Sequence, residues 1–174
     1  PVQTTRAIDA GTLAGMAGAH VVTPAPFNEA VRTYAPGSPE RASVQARLVT
    51  LSDARTEIPM VIGGKPVMTA ERHQVRAPHR HQLVLGEFAG GGTKEVDAAI
   101  AAALRAQPAW ASTPYHERAA IFLRAAALLA GPWRDTVNAA TMLGQSKTVQ
   151  QAEIDAACEL IDFWRFNPYF MRGI

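Results

Sequence analysis

The chain is poor in the features that usually announce a function. It has a single cysteine, Cys158, in 174 residues, which excludes an intramolecular disulfide framework and is compatible with a reducing compartment. No apolar run approaches the roughly 18 residues a membrane span needs. Neither sign of charge dominates. Lys and Arg number 17 against 15 Asp and Glu, for a net charge of +2 and a pI near 9.1. The basic residues are scattered, so the electrostatic footprint of a nucleic-acid binder is missing. The first 20 residues carry only Arg6 as a fixed positive charge, include Asp9 and lack a continuous apolar stretch, unlike a secretory signal or an Arg-rich transit peptide. These absences lead to the expectation of a cytoplasmic globular protein with neither a nucleic-acid nor a membrane partner.

What is present changes character along the chain. Residues 1–40 are rich in Ala, Gly, Pro and Thr, and Pro24, Pro26, Pro36 and Pro39 forbid a long helix there. They read as an irregular N-terminal arm. A short helix is predicted from Pro39 to Ser52, with Val44, Leu48 and Leu51 at helical spacing. Met60–Ile62 and Pro66–Met68 flank Gly63-Gly64-Lys65 and read as a hairpin. His73–Ala77 and Leu83–Phe88 read as a second strand pair.

From Thr93 the pattern turns helical. Val96, Ile100, Ala103 and Leu104 fall on one stripe behind Thr93 as predicted N-cap. Thr113-Pro114 opens a second helix with Ile121, Ala125, Leu128 and Leu129 as its predicted buried stripe. Gly131-Pro132 separates it from a third, which ends near Gly144. The last helix opens with a capping box, Thr148 and Gln151.

On a wheel of about 100° per residue, Ile154, Ala157, Cys158 and Ile161 of that last helix share an apolar stripe, and Asp155, Glu159 and Asp162 lie opposite. Glu153 falls on the flank near Leu160 and Trp164, toward the packed side. A carboxylate there must be hydrogen-bonded, paired with a cation or opened to a cavity, because burying it bare is costly.

Other chemical signals are weak. Cys158 sits mid-helix among apolar residues with no evident cation to activate it, and reads as an inert core thiol. His73, His79 and His81 have no cysteine or carboxylate at ligand spacing, so no metal site is expected. Gly90-Gly91-Gly92 lacks both the spacing and the ending of a phosphate cradle and reads as a linker. Trp110, Trp133 and Trp164 are helical aromatics expected to anchor a core or an interface.

The stretch LGQSKTVQQAEIDAACELIDFWRFN (Leu143–Asn167) carries the most specific signal, joined by HERAAIFLRAAALLAGPWRD (His116–Asp135), IPMVIGGKPV (Ile58–Val67) and APHRHQLVLGEF (Ala77–Phe88). Together they resemble the Δ1-pyrroline-5-carboxylate dehydrogenases, or L-glutamate γ-semialdehyde dehydrogenases, a branch of the aldehyde dehydrogenase superfamily. The resemblance covers about Pro36 to Phe166. It departs at Asn167-Pro168, where a proline stands in what should remain helix.

The resemblance implies an aldehyde dehydrogenase-like α/β fold in a larger parent protein. Residues 1–40 would be the arm. Residues 41–174 would be the first strands and helices of a cofactor-binding domain, incomplete and without the catalytic domain. It implies NAD-dependent oxidation of the semialdehyde to glutamate in proline catabolism by a homo-oligomeric parent. Catalytic and NAD-binding residues are expected downstream of Ile174, leaving this chain inactive alone. Glu153 is the one position carried over as a candidate substrate contact, for the α-ammonium group. Two alternatives stand beside this reading: a stand-alone, non-catalytic helical binding or assembly module, and part of a bifunctional proline-oxidising enzyme.

Overall fold

A computed structural model describes residues 22–174. The part of the arm before residue 22 lies outside the described residues. Residues 22–38 contain no helix or strand, as four prolines in or beside the segment would dictate. Helix α1 (Pro39–Asp53) follows, with the Ser38 hydroxyl accepting from the Arg41 N–H as N-cap and Pro39 in the first turn.

Five short strands come next: β1 (Thr56–Ile58), β2 (Met60–Ile62), β3 (Lys65–Val67), β4 (Arg72–Ala77) and β5 (Arg80–Ala89). β2 and β3 form the hairpin expected from sequence. Its two-residue turn places Gly63 and Gly64 at φ +58° and +77°, values that favour glycine at both central positions. β1 was not legible in the sequence. It pairs in parallel with β5, which pairs antiparallel with β4, giving the order β1-β5-β4. That pairing depends on Gly86, where an added Cβ would meet the Thr56 carbonyl oxygen at 2.3 Å.

The remainder is helical: α2 (Thr93–Ser112), α3 (Tyr115–Ala130), α4 (Arg134–Gln145), α5 (Val149–Ala152), a π-helical turn (Glu153–Cys158) and α6 (Glu159–Met171). Helix α4 packs on α1, and α6 packs on α3. Two small cores result. One joins Ala126, Leu129, Ala157 and Ile161; the other joins Tyr34, Val44 and Ala139. Alanine at these contacts lets the helix backbones approach closely.

Several expectations need correction. The N-cap of α2 is Gly92, not Thr93, and the Glu95 carboxylate accepts from the Gly92 N–H. The expected stripe Val96, Ile100 and Leu104 is 54–62% exposed, because no layer of the described chain lies over it. On α3 the buried residues are Ala119, Ala126 and Leu129, whereas Ile121 and Leu128 face outward. Trp110 and Trp133 are exposed, which leaves an interface rather than a core as the place expected of them. On the last helix Ala157, Cys158 and Ile161 are buried as the wheel predicts and Glu153 lies on the packed side, fully buried, but the π turn, wider than an α turn, turns Ile154 outward to 38% exposure. Pro168 does not end the last helix, which runs through it to Met171. Among the described residues, no helix is long and apolar enough to cross a membrane.

Candidate functional site

The sequence nominated Glu153, and the structure builds a polar cluster around it. Helix α4 begins at Arg134, directly after the Gly131-Pro132-Trp133 turn, and sends that side chain inward. Four residues on, Asn138 faces the same way. The π turn starts at Glu153 and swings its carboxylate toward them. The arm supplies Tyr34, held at φ +51°, so that its ring packs with Val44 and Ala139 while its hydroxyl reaches the cluster.

Both carboxylate oxygens of Glu153 are occupied by donors of this chain. Oε1 accepts from the Arg32 backbone N–H at 2.8 Å and from Arg134 Nη2. Oε2 accepts from Tyr34 Oη at 2.7 Å, Asn138 Nδ2 at 2.8 Å and Arg134 Nε at 3.2 Å. Glu153 and Asn138 are 0% exposed and Arg134 is 1% exposed.

Arg134 in turn holds the arm. Its Nη2 donates to the Ala30 carbonyl at 2.7 Å, and its Nη1 pairs with Glu29. The other Glu29 oxygen meets Arg165 at 2.8 Å. Asp162, on the face opposite the apolar stripe, accepts from the Glu29 N–H and from Asn28 Nδ2, each at 2.7 Å. Residues 28–34 are therefore fastened to α4, the π turn and α6 mainly by charge-assisted hydrogen bonds.

The electrostatics follow from this geometry. Burial pushes the Glu153 carboxyl upward, but Arg134 and the donors from Arg32, Tyr34 and Asn138 outweigh it and hold the group down at about 2. Burial and the adjacent carboxylate raise the Tyr34 hydroxyl to about 12. The same carboxylate raises Arg134 further above its ordinary value against the opposing effect of burial. All three keep fixed protonation states near neutrality, so the cluster is a poor proton shuttle.

The expected meeting of Glu153 with a cation is satisfied from within the chain, and the cation is Arg134. Among the described residues, Glu153 is 0% exposed and both of its oxygens are taken up by donors of this chain. Cys158 does have a cationic neighbour, contrary to the sequence reading: Arg134 Nη2 lies 3.4 Å from Sγ. Burial and the nearby Glu153 nevertheless push the thiol up to about 11, which suits a structural cysteine.

The remaining sequence signals disperse. His79 Nδ1 lies 2.8 Å from Ser146 Oγ, and His73 Nε2 lies 3.1 Å from Glu71 Oε1, so one carboxylate does stand beside His73, contrary to the sequence reading. In the glycine run, the Gly90 N–H donates to the Glu71 carbonyl and the Gly92 N–H to Glu95. Those donors are turned into the chain rather than presented to a phosphate, so the run does not fit a dinucleotide. What sequence reasoning missed are the partners Tyr34, Arg134 and Asn138, between 15 and 119 positions from Glu153. The dipeptide Trp133-Arg134 at a helix start gave no sign that the arginine points inward.

Against this geometry, residues 67–173 match the aldehyde dehydrogenase family. The chain belongs to that family. Among curated relatives, Delta-1-pyrroline-5-carboxylate dehydrogenase of Agaricus bisporus is 46% identical over 163 residues, 91% of this chain and 30% of that protein. The mitochondrial enzyme of the same name from Homo sapiens is 42% identical over 159 residues, covering 91% and 28% respectively. The crystal structure of Delta-pyrroline-5-carboxylate dehydrogenase from Mycobacterium tuberculosis bound with NAD superposes with a TM-score of 0.87 at 53% identity, covering 90% of this chain and 29% of that one. The chain thus spans about 30% of the length of the curated relatives it matches. An aldehyde dehydrogenase-like fold is shared, with few strands and a mainly helical second half.

Proposed function

We propose that this chain is the N-terminal part of a dehydrogenase that oxidises L-glutamate γ-semialdehyde, the open form of Δ1-pyrroline-5-carboxylate, to glutamate in proline catabolism with NAD as acceptor. The observation that carries the reading is the 53% identity with the M. tuberculosis enzyme over 90% of this chain. Relatives of that name from fungi and vertebrates match over 80–91% of the chain. NAD is assigned to the parent protein only. The glycine run here does not fit it, and we place both its seat and the catalytic groups downstream of Ile174, with residues 41–174 contributing the opening strands and helices of the cofactor-binding domain.

Within the parent we assign Glu153 a positioning role. It anchors the arm through Arg32 and Tyr34 and keeps Arg134 buried, and it does not contact substrate. Glu153→Ala then lowers the amount of folded protein and leaves KM for the semialdehyde near its original value in whatever folds. A selective rise in KM would restore the substrate-contact reading.

We assign the parent a homo-oligomeric state, and the buried free thiol favours a reducing compartment such as the cytoplasm. The substrate assignment is tested by comparing the semialdehyde with simple alkyl aldehydes in an NAD-reduction assay of the polypeptide as its source makes it. A kcat/KM preference for the semialdehyde of at least tenfold is expected; a preference for alkyl aldehydes overturns it.

A further inference from the structure

We draw no further inference here: the strongest candidate, the cleft between α1 and the end of α4 where Ser146 Oγ meets His79 Nδ1 at 2.8 Å, carries nothing, because both residues are exposed, no further side chain among the described residues is hydrogen-bonded to the histidine, and Lys147 beside them is already paired with Asp155.

Discussion

Replacing Glu153 by Gln perturbs the most densely bonded group in the chain and has a predictable cost. The substitution keeps the shape but exchanges one acceptor oxygen for an NH2. Whichever way the amide turns, that NH2 faces donors: Arg32 N–H and Arg134 Nη2 on one side, or Tyr34 Oη, Asn138 Nδ2 and Arg134 Nε on the other. Arg134 keeps only Glu29 as a charged partner. Breaking a buried pair from one side costs about 3–5 kcal/mol.

The same contacts, expressed as a lowered pKa, give a similar figure. The carboxyl stands at about 2 in the folded chain against an ordinary 4.5, a gap worth about 3 kcal/mol. Because the folded value lies below the unfolded one, this stability is fully present above pH 4.5 and disappears as the pH falls toward 2. Urea denaturation at neutral pH should therefore show Glu153→Gln less stable by about 3 kcal/mol or more, with the difference shrinking at acid pH. Trypsin should also cut faster after Arg32 as the anchoring of residues 28–34 loosens. A loss below about 1 kcal/mol at neutral pH, or an undiminished difference in acid, would refute the reasoning.

Further outcomes follow from individual contacts. Cys158, 5% exposed with its thiol raised to about 11, should resist alkylation in the folded protein and react once urea unfolds it; rapid labelling of native protein would contradict its placement. Gly86→Ala forces a Cβ against the Thr56 carbonyl at 2.3 Å and should cost about 1–3 kcal/mol, with amide exchange accelerating first along Thr56–Ile58. Ser146 ends α4 at φ +58°, so Ser146→Val should destabilise by roughly 1–2 kcal/mol whereas Ser146→Gly should lose little. The 174-residue chain alone, with Ile100, Leu104, Ile121 and Phe163 uncovered, should self-associate in sizing and light-scattering experiments; a compact monomer would count against the exposed faces being interior surfaces of a larger protein.

Local structure was legible where local rules govern it. The β2–β3 hairpin follows from two glycines between apolar pairs, α1 from Pro39 and the helical spacing of Val44, Leu48 and Leu51, and the α5 start from Thr148 and Gln151. The strand β1 was not legible, because three residues, Thr-Glu-Ile, become a strand only when Gly86 admits them beside β5. Burial on α2 and α3 was misread because periodicity reports which face is apolar, not whether anything covers it. The wheel placed Glu153 on the flank of the packed side, but it assumes one pitch throughout; the π turn breaks that pitch, buries Glu153 and turns Ile154 out. The carboxylate's need for a partner was readable from its position. That the partner is Arg134, with Tyr34 and Asn138, could not be read, since only the packing of the arm across α4 and α6 brings them together.

We have proposed that this chain is the opening portion of a glutamate-semialdehyde dehydrogenase, without its catalytic groups. The most direct measurement is NADH formation from L-glutamate γ-semialdehyde, compared between the polypeptide as its source makes it and the 174-residue chain alone. Turnover is expected from the first and none from the second. Turnover by the 174 residues alone, or a complete natural product that leaves the semialdehyde untouched, would contradict it.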